Sequence, residues 1–217
     1  MRSKLHYNTV TPLLHKVLKQ LMKAKEFEDF RLVGGTSLSL QRGHRLSVDI
    51  DLFTDTDHGT INFDAIDTFL RKTYAYVETS KDDIIGFGKS YFVGTDKNTA
   101  IKLDIFYTDK FIDPVLIIDD IRMASVDEII AMKLDVINRG GRKKDFWDIY
   151  ELIENYSADA MFFLHKTRYP YGHDREILKN KFLEFEKAND DFNPECLRGN
   201  HWELIRIDIE DFIGKLT

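Results

Sequence analysis

The most informative segment of the chain reads Ser47-Val48-Asp49-Ile50-Asp51-Leu52-Phe53. Its branched and aromatic residues favour a strand, and in a strand residues i and i+2 point to the same face, so Asp49 and Asp51 should project together. Two carboxylates held side by side repel each other unless a divalent cation neutralises them. Mg²⁺ suits such a pair, because it binds one or two carboxylates and completes its coordination with water and substrate phosphates. The segment predicts a metal site; the simpler alternative is a strand with an acidic outer face.

A glycine turn lies upstream of this segment. Phe30-Arg31-Leu32-Val33 is typical of a short strand, and Gly34-Gly35-Thr36-Ser37 lets the backbone turn sharply into a helix. The unpaired N–H groups and the positive dipole end of a helix start attract anions, and Thr36 and Ser37 add hydroxyl donors. We therefore expect these four residues to bind phosphates, although a Gly-Gly pair more often marks an ordinary turn. The spacing matches neither a Walker P-loop nor a Gly-x-Gly-x-x-Gly turn.

A third carboxylate comes from a later segment. In Ala100-Ile101-Lys102-Leu103-Asp104-Ile105-Phe106-Tyr107, apolar residues flank Asp104 at strand spacing. If this strand lies beside that of Asp49 and Asp51, three carboxylates converge, enough to hold one or two Mg²⁺ ions for an in-line phosphoryl or nucleotidyl displacement. Asp104 would then also be a candidate to accept the proton of the attacking hydroxyl. The alternative is a strand-end aspartate in solvent.

These motifs resemble those of a known family. The glycine turn and the run from Gly43 to Phe53 are similar to the AbiEii/AbiGii toxin-type nucleotidyltransferases, within the DNA polymerase β-like superfamily. The run Ser125–Lys133 resembles the family's helix with a reactive-site lysine, and Lys143–Tyr150 continues the pattern. The resemblance implies transfer of a nucleoside monophosphate from a nucleoside triphosphate to an acceptor, with Mg²⁺ as the metal and Mn²⁺ as its substitute. In toxin relatives the acceptor is tRNA, and an antitoxin protein would be a further partner.

The resemblance also adds two residues to the expected site. It implies that Lys133 meets the triphosphate as a point charge and that Asp145 is a late active-site carboxylate. The alternatives are a solvated helix lysine and an ordinary acidic face that Asp145 shares with Asp148. Arg45 could pair with a phosphate or with the metal-site aspartates, and we favour a structural role for it. The expected catalytic set is therefore Asp49, Asp51, Asp104, Lys133 and Asp145.

The order of elements predicts an α+β protein with a nucleotidyltransferase fold, in which a mixed β-sheet with packed helices precedes a mainly helical C-terminal lobe. Ser125 with Glu128 forms a capping box that marks the change to helices. The expected domains are a core, 1–124, and a helical lobe, 125–217, that contributes Lys133 and Asp145, with a hinge near 109–124. Helices are predicted at 10–21 and 62–72, and strands at 30–33, 47–54, 74–79, 84–93 and 99–107.

Composition limits the remaining function classes. A chain of 217 residues with 43% hydrophobic content can bury a core without disulfides. One cysteine, an N-terminus without an apolar stretch, and no segment approaching the roughly 20 apolar residues of a membrane span predict a cytoplasmic protein. The net charge of −6 argues against a protein that coats nucleic acid but permits a local basic groove. No histidine spacing indicates zinc.

Three functional hypotheses remain open. The leading one is a nucleotidyltransferase that acts on RNA or protein, as the toxin of a toxin–antitoxin pair. The second is transfer to a small molecule such as an aminoglycoside-like polyol, and the third is a non-enzymatic nucleotide-binding or interaction module. A basic groove from Lys133 and Arg142 toward the metal would favour RNA, whereas a closed acidic pocket would favour a cationic small molecule. Aromatic residues late in the chain are expected in the core, with base stacking as the alternative for Phe182, Phe185, Phe192 and Trp202.

Overall fold

The computed structural model describes residues 4–79 and 86–216. Within these residues, seven strands form one mixed sheet. The strands are β1 (Arg31–Leu32), β2 (Ile50–Thr54), β3 (Tyr76–Thr79), β4 (Gly88–Asp96), β5 (Thr99–Tyr107), β6 (Leu116–Ile118) and β7 (Ile121–Met123). Their order across the sheet is β3-β4-β5-β2-β1-β7-β6. The predicted mixed sheet is therefore present, and residues 84–85 of the predicted strand 84–93 lie outside the described residues.

The centre of the sheet brings the predicted site segments together. Strand β2 pairs in parallel with β5, with Asp51 directly across from Asp104, and pairs antiparallel with β1. The helix that follows β1 therefore starts beside the beginning of β2. Strand β2 is shorter than predicted, because Ser47 makes only an isolated bridge to Val10 and Asp49 precedes the first paired residue.

Helices cover the sheet and make up most of the described chain after β7. The first half contains α1 (Pro12–Lys23), α2 (Gly34–Arg42) and α3 (Phe63–Thr73). The second half contains α4 (Val126–Asn138), α5 (Lys143–Tyr150), α6 (Ala158–Arg168), α7 (Arg175–Phe182), α8 (Glu186–Asn189) and α9 (Trp202–Gly214). The Ser125 side chain accepts a hydrogen bond from the Glu128 N–H at 3.1 Å, which caps α4 as the sequence predicts.

The segment expected to be a hinge is part of the sheet. Strands β6 and β7 lie within 109–124 and form an antiparallel pair, and β7 also pairs in parallel with β1. Glu128 does not complete the expected capping box, because its carboxylate accepts hydrogen bonds from the N–H groups of Ile112 and Asp113 and pairs with buried Arg168. These contacts tie the segment to α4 and α6, and the hinge near 109–124 stays a prediction. The division into two domains at 124/125 stays a prediction.

Apolar side chains form two clusters. One lies between the sheet and α1 and α3, with Leu14, Leu18, Leu52 and Leu103 fully buried, and the other joins helices α4 to α9. Val33 and Leu38 from the glycine-turn region pack into the second cluster, which holds α2 against α4. Phe182, Phe185 and Trp202 belong to this core as expected, whereas Phe192 is 91% exposed. In the part of the chain that the structure describes, no helix has the length and apolar character to cross a membrane.

Candidate active site

A pocket of about 320 Å³ lies where the glycine turn, the start of β2, α4 and α5 meet. Most of the predicted site residues line it, together with Arg45 from the segment before β2. The predicted residues Thr36, Ser37 and Asp104 lie beside the pocket rather than in its lining. The lining includes Gly34, Gly35, Arg45, Asp49, Asp51, Lys133, Arg142, Lys144 and Asp145.

The two strand carboxylates are neighbours across the sheet. Asp51 and Asp104 occupy opposite positions on parallel strands, and Asp49 precedes β2 with its carboxylate 3.8 Å from the Lys144 ammonium. Burial, together with the negative charges of Asp104 and Asp49, raises the pKa of Asp51 to about 6. Asp104 accepts a hydrogen bond from Lys102 at 2.5 Å through Oδ2. Asp51 therefore lies in a concentration of negative charge that a cation would relieve.

The donor set fits a hard divalent cation. No three His, Cys, Asp or Glu side chains between 4 and 79 or between 86 and 216 already surround one point as a metal site, so the three-carboxylate site stays a prediction. Mg²⁺ needs only one or two carboxylates from a protein, because water and phosphate oxygens supply the rest. Asp104 Oδ1 is buried without a hydrogen-bond partner among the described atoms. An unpaired acceptor beside a carboxylate with a raised pKa matches this chemistry.

Gly34 brings the helix start against Asp51. Its φ of +65° lies in the left-handed region, which favours glycine, and a Cβ there would lie 2.7 Å from Asp51 Oδ2. A Cβ on Gly35 would lie 2.3 Å from Nη2 of Arg45. Both glycines line the pocket, so the start of α2 lies against a carboxylate and a guanidinium with no side chain between them.

Thr36 and Ser37 have other partners than the predicted phosphates. The buried Thr36 hydroxyl donates to the backbone carbonyl of Asp49 and lies 2.7 Å from the Ser47 hydroxyl. Ser37 is also buried, and its hydroxyl accepts a hydrogen bond from Gln41 at 3.1 Å. The two hydroxyls face the protein interior because they lie on the covered side of α2. Thr36 therefore positions the backbone of Asp49, and the prediction of hydroxyl donors to phosphate has no support in this geometry.

A buried ionic cluster forms the floor of the pocket. We define it as His44, Arg45, Lys133, Asp145 and Asp148, which are all at most 7% exposed. Asp148 is its centre: its carboxylate accepts two hydrogen bonds from Arg45, at 2.6 and 2.9 Å, and lies 2.8 Å from His44 Nε2. Lys133 Nζ lies 2.7 Å from Asp148 and 2.6 Å from Asp145. The predicted pair Lys133 and Asp145 is therefore in direct contact.

The charges of the ionic cluster stabilise one another. Burial alone would raise the pKa of Asp148, but Arg45 and Lys133 hold that pKa well below its usual range. Burial alone would lower the pKa of Lys133, but Asp145 and Asp148 raise it above that of an exposed lysine. Arg45 pairs with Asp148 rather than with a metal-site aspartate. Sequence reasoning missed Asp148 as an organising residue, although its spacing from Asp145 on one helix face was a usable signal.

A mixed sheet that presents a glycine turn, a helix start and an aspartate pair to one pocket, with a lysine opposite, defines a nucleotidyltransferase. A family model described as nucleotidyl transferase AbiEii toxin, type IV toxin–antitoxin system, matches residues 16–215. The chain therefore belongs to the AbiEii family of nucleotidyltransferase toxins. The resemblance drawn from the motifs is confirmed, and the non-enzymatic hypothesis is set aside.

Known proteins share this fold along most of the chain. The uncharacterized protein aq_aa25 of Aquifex aeolicus (strain VF5) is 26% identical over 215 residues, which is 92% of each chain. MenT4, described as a nucleotidyltransferase toxin of Mycobacterium tuberculosis H37Rv, is 15% identical with a TM-score of 0.59 and covers 94% of this chain and 84% of its own. JHP933 from Helicobacter pylori is 17% identical with a TM-score of 0.54, covering 93% and 87%. These structures support the nucleotidyltransferase fold.

The raised pKa of Asp51 predicts a pH-dependent stability. A carboxyl group whose pKa is higher in the folded than in the unfolded chain favours folding at a pH below its pKa in the unfolded chain, which is near 4. This contribution to stability is lost as the pH rises through the pKa of about 6 in the folded protein. Without metal, Asp51→Asn should therefore unfold with a free energy about 1–2 kcal/mol higher than the wild type at pH 8, a value reduced because Asp51 is partly exposed to the pocket. The difference should disappear near pH 4.

Urea unfolding at pH 4 and pH 8, with and without Mg²⁺, measures this effect. Mg²⁺ should stabilise the wild type at pH 8 and leave Asp51→Asn almost unchanged. The exposed aspartate variant Asp57→Asn serves as the matched control and should follow the wild type in all four conditions. Equal stabilities of the wild type and Asp51→Asn at pH 8 would contradict the assigned carboxylate repulsion.

Proposed function

We propose that this protein transfers a nucleoside monophosphate from a nucleoside triphosphate to a hydroxyl group of an RNA acceptor, with Mg²⁺, as the toxin of a toxin–antitoxin pair. The observation that carries the proposal is the contact between the start of α2 and Asp51, where Gly34 leaves no room for a side chain. This contact supports the proposal, because the unpaired N–H groups of a helix start bind phosphates and here would lie beside the carboxylates that would hold a metal. Mn²⁺ is the expected substitute metal.

The residues around the pocket have different roles in the proposed reaction. Asp49, Asp51 and Asp104 would hold a divalent cation, which when bound neutralises charge on the α-phosphate and the leaving pyrophosphate. The N–H groups of Gly34 and Gly35 bind the outer phosphates. The acceptor oxygen forms a bond to the α-phosphorus, the bond from that phosphorus to the pyrophosphate oxygen breaks, and the acceptor proton passes to a base. Asp104 is the candidate base, because its Oδ1 lacks a donor among the described residues.

Lys133 can contact the triphosphate without leaving the ionic cluster. Its ammonium has three N–H donors, and Asp145 and Asp148 account for two of them at 2.6 and 2.7 Å. The third donor is available to a phosphate oxygen in the pocket that Lys133 lines. We infer that the two aspartates fix the position of this ammonium, so that Lys133 meets the triphosphate as a pre-positioned charge.

The charges around the pocket favour RNA over a cationic small molecule. Among the described lining residues, four are basic (Arg45, Lys133, Arg142 and Lys144) and three are acidic (Asp49, Asp51 and Asp145). A metal at Asp49 would compensate the charge of the carboxylate that Lys144 now faces, so half-buried Lys144 would be available to an anion. Exposed Arg142, which also pairs with Asp191, lies beside it at the rim. A polyanionic acceptor suits such a rim, whereas an aminoglycoside-like polyol would need acidic groups there.

Incubation of the purified protein with each α-labelled nucleoside triphosphate, Mg²⁺ and total tRNA tests the proposal. We expect label on RNA, with one nucleotide preferred, and no label when EDTA replaces Mg²⁺. Purified protein without RNA, and a polyol mixture without RNA, serve as the alternative acceptors. Label on protein or polyol alone would contradict the RNA acceptor, and no transfer to any acceptor would contradict the proposal as a whole.

A further inference from the structure

A second groove adjoins the active-site pocket. It has a volume of about 300 Å³ and shares five lining residues with the pocket, namely Arg45, Ser47, Asp49, Arg142 and Lys144. Its remaining wall is formed by Leu46, Val48 and the segment 191–195. A molecule in this groove would therefore reach the carboxylates from the side of Asp49, while the glycine turn remains free to hold phosphates.

The groove wall carries exposed apolar groups. The ring of Phe192 is 91% exposed and the side chain of Val48 is 62% exposed, although both lie beside a charged pocket. Phe182, Phe185 and Trp202 behave differently, because they are at most 6% exposed and pack in the core. A single exposed phenylalanine is common on protein surfaces, but Phe192 and Val48 are two exposed apolar side chains in one groove. An apolar surface at a groove that adjoins an active site is typical of a binding site.

The segment that carries Phe192 is anchored on both sides. Arg142 forms two hydrogen bonds to Asp191, at 3.0 and 2.8 Å, and Lys143 donates to the Asn193 side chain at 3.0 Å. On the other side, the Leu46 N–H donates to the Glu195 carbonyl at 2.9 Å. The residues on both sides of Phe192 are thus held beside the groove by contacts to Arg142, Lys143 and Leu46. A segment that is already anchored suits recognition, because its backbone loses less conformational entropy on binding.

We propose that Phe192 and Val48 form a platform on which a base at a single-stranded RNA end stacks, while Lys144 and Arg142 contact its phosphates. This inference rests on the proposed transfer to RNA and names the surface that receives the acceptor. A flat apolar ring next to basic side chains is the combination that binds unpaired nucleotides, because every base has a face that stacks. The shared lining leads from this platform to Asp49, so a bound RNA end presents its hydroxyl to the carboxylates.

Fluorescence anisotropy with a labelled single-stranded RNA of about ten nucleotides tests the platform directly. The titration uses the full chain with Mg²⁺ and a non-hydrolysable nucleoside triphosphate. Phe192→Ala should bind the RNA about tenfold more weakly than the wild type, because one base loses its stacking partner. Phe192→Tyr should retain wild-type affinity, and all variants should bind the nucleotide analogue equally well.

Phe163→Ala is the matched control, because Phe163 is 67% exposed on α6 and lies outside both grooves. It should bind RNA as the wild type does. Equal RNA affinities of Phe192→Ala and Phe163→Ala, or no RNA binding by the wild type, would overturn the inference. Label transfer to RNA is measured separately from RNA binding. If Phe192→Ala transfers label to RNA as fast as the wild type does, the proposed function remains intact. If the wild type binds RNA but transfers no label, the proposed function is contradicted and the platform is not.

Discussion

Asp51→Asn is expected to lose nucleotidyl transfer by about a thousandfold or more while remaining folded. The amide is nearly the same size as the carboxylate but carries no charge, so it cannot neutralise a divalent cation at the start of β2. Loss of one well-placed electrostatic group in an active site commonly costs a hundredfold to a thousandfold in rate, and loss of the metal's charge adds to this. The initial rate of label transfer at saturating Mg²⁺ and nucleotide measures the effect.

The control is the exposed variant Asp57→Asn, which removes one carboxylate from the same part of the chain without touching the pocket. It should transfer label at the wild-type rate. Circular dichroism should show that Asp51→Asn keeps its helices and strands, because removal of a repelled charge does not disturb packing. Full transferase activity of Asp51→Asn would show that the strand carboxylates are not the catalytic metal ligands.

Asp148→Asn is expected to destabilise the fold by about 3–5 kcal/mol, the range for removing one partner from a buried ion pair. Asp148 is fully buried and is the shared partner of Arg45 and Lys133. Without its charge, two buried cations would have only the carboxylate of Asp145. The pKa of Asp148 in the folded protein lies well below its usual range. The stabilisation is therefore present above about pH 4, the pKa of an aspartate in the unfolded chain, and is lost as the pH falls through the pKa of the folded protein. Chemical unfolding at pH 7 measures the loss.

Two variants control for this result. Asp211→Asn removes an exposed carboxylate on α9 and should change stability by less than about 0.5 kcal/mol. The double variant Lys133→Met with Asp148→Asn restores charge balance between Arg45 and Asp145, so its destabilisation should be smaller than the sum of the two single variants. If Asp148→Asn were as stable as Asp211→Asn, the ionic cluster would not hold the floor of the pocket.

The features that short stretches of sequence encode were predicted most accurately. The glycine turn and the alternating residues around Asp51 fix a strand, a turn and a helix start over about twenty residues, and Asp104 has the same strand alternation. To predict that Asp51 and Asp104 lie side by side, it was enough to assume that two apolar strands are neighbours in the sheet. These elements carry the fold class and most of the expected pocket, which is why the mixed sheet could be anticipated.

Features that depend on distant contacts were missed. Arg45 and Asp148 are more than a hundred residues apart, so no local pattern indicates their pairing. Strands β6 and β7 have three residues each, too short for an alternation to be visible, so the sequence did not predict them. The difference between exposed Phe192 and buried Phe182 likewise arises from packing of the helical half and not from spacing.

A sulfur substitution at the reacting phosphate decides whether a metal at Asp49, Asp51 and Asp104 contacts that group. Label transfer is measured with each stereoisomer of a nucleoside triphosphate that carries sulfur in place of one non-bridging α-phosphate oxygen, in Mg²⁺ and in the softer cation Cd²⁺. Mg²⁺ prefers oxygen ligands and softer cations accept sulfur, so one stereoisomer should react slowly in Mg²⁺ and regain its rate in Cd²⁺. Equal rates for both stereoisomers in both metals, or transfer that persists in EDTA, would contradict a metal-dependent nucleotidyl transfer at these carboxylates.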